Sequence, residues 1–120
     1  MDISSKSNEK AKFIKSLNDK KGRINNNSFY LEGIKVVNEV LDKKQAINIR
    51  FIACSKEILD NVNGGNEILK RLQKESNIEI IYFAKNVFES LTDTKTPQGI
   101  LAVLQIPKYE FTDSKKIFLF

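Results

Sequence analysis

The sequence Ile100-Leu-Ala-Val-Leu-Gln-Ile106, which is followed by Pro107, is the strongest strand signal in the chain. Apolar side chains occupy nearly every position of this segment, as is typical of a strand that is covered on both faces of its sheet. Pro107 ends the segment because proline cannot donate a hydrogen bond to a neighbouring strand. A similar run, Ile49-Arg-Phe-Ile-Ala-Cys54, predicts a second buried strand, for which parallel pairing is expected.

Shorter strands and several helices are predicted in the rest of the chain. Two further strands are expected at residues 29–31 and 78–83. Ile14 and Leu17 indicate a first helix, with Ser5 or Ser7 as its cap and Gly22 as its end. Amphipathic helices are also predicted at residues 34–41, 68–72 and 87–91. Helices that alternate with strands through right-handed crossovers predict an α/β fold, a three-layer α/β/α sandwich.

The composition limits both the number of domains and the kinds of functional site that are expected. A chain of 120 residues with 41% hydrophobic and 29% charged residues has the size and balance of one globular domain. No apolar run approaches the roughly 20 residues of a membrane span, and the first residues lack a signal peptide's apolar core. We therefore expect a cytoplasmic protein without membrane contact. With no histidine and the single cysteine Cys54, the chain is expected to hold no metal, disulfide or histidine-based catalytic site.

Positive charge is concentrated at the N-terminal end of the chain. The net charge is +5, and four of these five charges lie in residues 1–23, which hold seven basic and three acidic residues. Lysine and arginine displace condensed counterions from a phosphate backbone, so this end predicts a polyanionic partner. The alternative is a solvated basic helix that serves solubility alone.

Two polar segments next to predicted strands are candidate binding sites. Glu32-Gly33 lies where a strand passes into a helix, and the free N–H groups at a helix start can bind phosphate. The alternative is that Glu32 only caps this helix. Residues 92–99 precede the strongest strand, and their hydroxyl, amide and lysine groups favour contacts with sugar and phosphate, although an ordered turn uses the same residue types. Gly64-Gly65 fits no nucleotide-binding glycine motif and is interpreted as a turn.

Several short motifs, taken together, resemble one family. They are Ser5-Lys-Ser-Asn8, Arg23, Phe29-Tyr-Leu-Glu-Gly33 and Leu91-Thr-Asp-Thr-Lys-Thr-Pro-Gln-Gly-Ile-Leu-Ala-Val103. In this order and spacing, over residues 4–107, they resemble the N-terminal substrate-binding domain of the SpoU family, TrmH-like RNA 2′-O-ribose methyltransferases of the SPOUT class. The resemblance implies a fold similar to the ribosomal proteins that bind RNA kink-turns. It also implies an RNA substrate-binding domain at residues 1–107, with a linker and the first strand of a truncated catalytic domain at residues 108–120.

The resemblance further implies a function that is divided between two domains. Residues 1–107 would hold a structured ribosomal or transfer RNA, while the missing catalytic domain would bind S-adenosylmethionine and form the homodimer of the parent enzyme. We therefore expect no cofactor and no methyl transfer in the fragment itself. Two alternatives are a stand-alone kink-turn RNA-binding protein of ribosomal type and a dimerisation module.

The expected RNA contacts follow from the basic end and from the two polar segments. Aromatic residues lie mainly inside apolar strands. Contacts to phosphate and sugar, and recognition of the shape of the RNA, are therefore favoured over base stacking. The resembled fold also implies that the Thr96-Pro-Gln-Gly99 turn meets the Glu32-Gly33 junction. The residues expected to contact RNA are Lys20, Lys21, Arg23, Glu32, Gly33, Lys35, Lys95, Thr96, Gln98 and Gly99.

Overall fold

The structure is a computed structural model that describes residues 2–107. Its helices are α1 Glu9–Ser16, α2 Lys20–Asn26, α3 Ile34–Asp42, α4 Lys56–Leu59, α5 Gly65–Gln73 and α6 Lys85–Glu89. Its strands are β1 Ser28–Glu32, β2 Ile49–Cys54, β3 Ile80–Tyr82 and β4 Ile100–Gln105. The linker and catalytic strand expected at residues 108–120 lie outside the described residues.

The strands form one sheet of four in the order β1-β4-β2-β3. The strongest predicted strand, β4, lies inside the sheet and pairs antiparallel with both β1 and β2, while β2 pairs parallel with β3. The parallel pairing expected for β2 is therefore confirmed on one side and wrong on the other. A strand that is covered on both faces is apolar throughout whichever direction its neighbours take, so its composition could not distinguish the two cases.

Helices cover both faces of the sheet. Along β4, Leu101 and Val103 face a core that includes α1 and α6, whereas Ile100, Ala102 and Leu104 face a second core that includes α3 and α5. This alternation follows from the two-residue period of a strand, which sends successive side chains to opposite faces. The α/β prediction and its three-layer α/β/α sandwich are confirmed.

The N-terminal helices differ from the prediction. Helix α1 is capped by Asn8, whose Oδ1 accepts hydrogen bonds from the backbone N–H groups of Lys10 and Ala11 at 2.8 and 3.3 Å, and not by a serine. The expectation that Gly22 ends this helix is also wrong, because Gly22 lies inside α2. A Cβ atom there would be 1.7 Å from the carbonyl oxygen of Ser16, so close packing of α2 on the end of α1 requires glycine.

Three observations concern the expectations drawn from composition. Cys54 is buried at the end of β2, as expected of a core residue, and this burial raises the pKa of its thiol to about 12. Within residues 2–107, no group of three or more His, Cys, Asp or Glu residues is placed to hold a metal ion. None of the helices in that range has the length and apolar character needed to cross a membrane.

Candidate functional site

The junction between β1 and α3 is closed by the loop that precedes β4. Gly33 is the N-cap of α3, and it has a φ of 122° and no side chain with which to cap the helix. The cap comes instead from Gln98, whose Oε1 accepts a hydrogen bond from the backbone N–H of Ile34 at 2.8 Å. The N–H of Gly33 donates to the carbonyl oxygen of Ile100 at 3.0 Å. The expected meeting of this loop with the Glu32-Gly33 junction is confirmed.

Glu32 connects the same loop to the end of β1. Its Oε1 accepts a hydrogen bond from the hydroxyl of Thr94 at 2.7 Å, and its Oε2 is buried without a hydrogen-bond partner. The alternative in which Glu32 caps α3 is wrong, since Gln98 takes that role. Glu32 and Gln98 therefore fasten the loop at two points, 62 and 64 residues apart in sequence from their respective partners.

Gly99 sets the backbone conformation at the end of this loop, next to β4. It is buried, with a φ of 93°, and its carbonyl oxygen accepts a hydrogen bond from the N–H of Ser55 at 2.8 Å. A Cβ atom at this position would lie 2.9 Å from the Cβ of Ile58 and 3.3 Å from the Cγ of Leu59. Only glycine fits both the backbone conformation and the space beneath α4.

These contacts build a polar cleft of about 630 Å³ over the start of α3. Its lining residues are Glu32, Gly33, Lys35, Val36, Glu39, Thr94, Thr96 and Gln98. Five residues from the expected RNA-contact set are thereby brought together, while Lys95 is exposed on the same loop without lining the cleft. Val36, Glu39 and Thr94 were not among the residues expected to contact RNA, although Thr94 lies in the polar segment 92–99 predicted as a binding site. The position of Glu39, one helical turn after Lys35, was the available signal, since residues four apart share a helix face.

A second, smaller cavity of about 350 Å³ lies between α2 and β1. Arg23 and Asp93 are among its lining residues, and its lining includes Leu31, the residue before Glu32. Leu31 and Asp93 immediately precede Glu32 and Thr94 of the cleft in sequence, although the two cavities share no lining residue. Asn18, just before α2, donates to the carbonyl oxygen of Leu91 at 2.8 Å and so anchors the helix start to the loop.

Tyr30 lines the smaller cavity together with Asn18 and Arg23. Its hydroxyl donates a hydrogen bond to Oδ1 of Asn18. Burial is the largest cause that raises the pKa of Tyr30 above its usual value, and the negative charges of Glu32 and Asp93 raise it further, against the opposing charge of Arg23. The hydroxyl is therefore protonated at neutral pH and serves as a donor that joins the two parts of the site.

Among the basic residues of the site, one side chain is used in a contact within the domain, and the others make no ion pair within residues 2–107. Arg23 is half-buried, and its Nη1 donates to the carbonyl oxygen of Leu17 at 3.1 Å. The salt bridges within residues 2–107 are Lys10 with Glu79, Lys44 with Glu75, and Arg71 with Asp42. The exposed lysines of the predicted site, which take part in none of these ion pairs, are Lys20, Lys21, Lys35 and Lys95.

A family model identifies the class of domain to which this fold and cleft belong. The model of the MRM3-like substrate-binding domain matches residues 8–102, which is most of the chain. The chain belongs to this family. The resemblance to the substrate-binding domain of SpoU-type methyltransferases, inferred from the Glu-Gly and Thr-Pro-Gln-Gly motifs, is confirmed.

Individual relatives are consistent with this assignment. The chain is 32% identical over 117 residues to the 23S rRNA (guanosine(2553)-2′-O)-methyltransferase RlmP of Bacillus subtilis strain 168, covering 98% of this chain and 42% of that protein. Its fold is similar to an rRNA methyltransferase from Sinorhizobium meliloti, with a TM-score of 0.68 at 20% identity over 92% of this chain and 38% of the other. An RNA 2′-O ribose methyltransferase gives a TM-score of 0.70 at 18% identity, covering 94% and 40% of the two chains. The chain thus spans less than half of each relative.

Proposed function

We propose that this chain is the RNA-binding, substrate-recognition domain of an rRNA 2′-O-ribose methyltransferase that uses S-adenosylmethionine. The observation that carries the proposal is the polar cleft, formed by Glu32, Gly33, Lys35, Thr96 and Gln98; exposed lysines on α2 that make no ion pair within residues 2–107 add to it. The family to which the chain belongs, and the activity in the name of its Bacillus relative, support the same function.

The double glycine of the chain does not form a nucleotide-binding loop. The only double glycine, Gly64-Gly65, leads into α5, and a Cβ atom at Gly65 would lie 1.8 Å from the carbonyl oxygen of Leu59. Gly65 therefore serves helix packing, and the pair does not follow a nucleotide-binding glycine pattern. We assign cofactor binding and methyl transfer to a catalytic domain outside residues 1–107, through which the parent enzyme would form a homodimer in the cytoplasm.

The cleft is suited to hold the backbone of a structured RNA. Lys35 lines the cleft and Lys95 is exposed on the loop that forms it, and their ammonium groups can neutralise phosphates. The hydroxyl of Thr96 and the amide of Gln98 can bond to sugar or phosphate oxygens. None of these groups reads a base directly, so the domain would contribute affinity and position, with weak sequence selectivity.

The basic start of α2 would extend this surface. Lys20 and Lys21 are exposed, and Asn18 fixes the start of the helix to the loop that forms the cleft. The proposal extends the path of the bound RNA from the cleft to both lysines. Arg23 contributes its charge while holding α2 in place, so it is a poor choice for a mutational test of charge alone.

The test is a salt series of RNA-binding measurements on the complete chain. Each phosphate contact contributes about 0.7 to 0.9 to the slope of log affinity against log salt, so Lys20→Ala with Lys21→Ala should flatten the slope by about 1.4 to 1.8. The matched control is Lys70→Ala with Lys74→Ala, which removes the same charge from exposed positions at the end of α5. Fluorescence anisotropy with structured ribosomal RNA fragments would measure both variants.

Three outcomes would contradict the proposal. Equal slope changes in the two double variants would mean that binding depends on net charge and not on this surface. A wild-type chain that binds no RNA at low salt would favour the dimerisation module. A chain that binds kink-turn RNA tightly and is encoded without a catalytic domain would instead be the stand-alone binding protein.

A further inference from the structure

Ile24 on α2 is exposed to an unusual degree. Its side chain is 62% exposed, and it is the only large hydrophobic residue among residues 2–107 that is classed as exposed. Isoleucine is also a weaker helix former than alanine, leucine or lysine, so it does not serve the stability of this short helix. Neither burial nor helix propensity therefore requires isoleucine at this position.

The orientation of α2 is fixed by its opposite side. Gly22 packs so closely on α1 that a Cβ atom would lie 1.7 Å from the carbonyl oxygen of Ser16. The Nδ2 of Asn26 donates to the hydroxyl of Ser16 at 3.0 Å, and Arg23 donates to a carbonyl of the preceding turn. The exposure of the isoleucine is thus a consequence of how the helix packs and not of a loosely held segment.

Ile24 shares its surface with the free lysines. Lys20 and Lys21 precede it by four and three residues, so the three side chains lie on one face of the helix. Asn25 is exposed beside them. We call these four residues, Lys20, Lys21, Ile24 and Asn25, the outer surface of α2. It combines two unpaired positive charges with one apolar side chain.

We infer that the outer surface of α2 docks on RNA at a place where at least one nucleotide is unstacked. This inference rests on the proposed function and adds the type of RNA structure that is bound. The two lysines would contact phosphates, and Ile24 would pack on the exposed face of a base or ribose. The backbone of a continuous duplex presents mainly phosphates and hydroxyls, whereas unstacked nucleotides in loops and bulges expose apolar faces.

Charge complementarity favours RNA over a protein as the partner. An apolar protein contact that covered Ile24 would also desolvate Lys20 and Lys21, and lysine is depleted at such interfaces. A polyanion gains from the same lysines by counterion release. RNA with an irregular segment is therefore the partner that can contact both the lysines and the isoleucine of this surface.

The experiment compares two RNA hairpins of equal length, one fully paired and one with a three-nucleotide bulge. Ile24→Ser should weaken binding of the bulged hairpin about three- to tenfold, as loss of a partly buried apolar contact predicts, with the salt slope unchanged. Its affinity for the paired hairpin should remain that of the wild type. Ile24→Val should retain most of the affinity for the bulge, and thermal unfolding should show both variants folded, since the side chain is exposed.

Ile24→Lys separates the apolar contact from charge. If charge alone governs the surface, this variant will bind both hairpins more tightly with a steeper salt slope, and the inference is wrong. The inference predicts that it loses the preference for the bulged hairpin. Equal binding of the bulged hairpin by Ile24→Ser and the wild type would refute the inference while leaving the proposed function intact. If the wild type binds neither hairpin, both are wrong, and a loss of self-association in Ile24→Ser would identify a protein contact.

Discussion

Replacement of Gly99 by alanine should destabilise the domain more than the same change at Gly64. Both glycines have a positive φ, 93° and 83°. Alanine at either position carries a backbone cost of about 1 to 2 kcal/mol. At Gly64 the added Cβ would lie 3.6 Å from Ile34 Cγ2, an ordinary contact, so the backbone cost is the whole effect.

Gly99 carries an additional steric cost. Its added Cβ would lie 2.9 Å from both Cβ and Cγ2 of Ile58, which is buried beneath the loop, and Cβ is not the mobile end of that side chain. Overpacking of this kind costs about 1 to 3 kcal/mol, so Gly99→Ala should lose about 2 to 5 kcal/mol in total. This is a large part of the roughly 5 to 15 kcal/mol of a typical domain.

Urea unfolding of the wild type and of both variants measures these differences. Gly64→Ala serves as the control because it keeps the backbone strain and lacks the clash. A difference between the two variants of about 1 kcal/mol or more, with unchanged m-values, is expected. Equal stability of the two variants would show that α4 yields to the added methyl group, and the close packing inferred beneath the loop would then be wrong.

Two further predictions concern the cap of α3 and the buried thiol. Gln98→Ala should lower the free energy of unfolding by about 1 kcal/mol, because Ile34 N–H loses its acceptor, whereas Gln98→Glu should retain the cap. Gln105→Ala, which removes only a bond with the exposed Asn48, is the control, and equal losses in urea unfolding would contradict the capping role. The pKa of Cys54 is raised from 9.0 to about 12, so the unfolded chain loses this proton first as the pH rises. The wild type should therefore lose roughly 1.4 kcal/mol of stability per pH unit more than Cys54→Ala between these values, and parallel stability curves for the two proteins would contradict it.

Whether the sequence predicted a helix or strand depends on which interactions hold that element in the fold. Strands β2 and β4 were predicted because buried strands need continuous apolar residues, which are visible without knowing their neighbours. Helix α2 was missed because it buries none of its residues and is held by the polar contacts of Arg23 and Asn26. Such contacts have no periodic signature in a sequence.

In the candidate site, too, the segments could be predicted from the sequence, but the contacts between them could not. The segments that contain Glu32 and Gln98 were both expected, since each places polar residues and glycine beside a strand. That Gln98 caps α3, and that Thr94 binds Glu32, could not be predicted, because each bond joins residues more than sixty positions apart in the chain. Side-chain pairing over such distances is set by the tertiary fold and leaves no local pattern.

The motif residues Gln98 and Gly99 stabilise the fold, whereas the lysines of the site do not. Gln98 and Gly99 each make contacts that close the loop or permit its turn, so the fold alone explains their residue types. Lys20 and Lys21 make no ion pair within residues 2–107, and the stability of the domain gives no reason for two adjacent cations at the start of α2. Variants of the motif residues will therefore change stability and binding together. Variants of the lysines and of Ile24 can change binding alone, and for that reason they provide the decisive tests of RNA recognition.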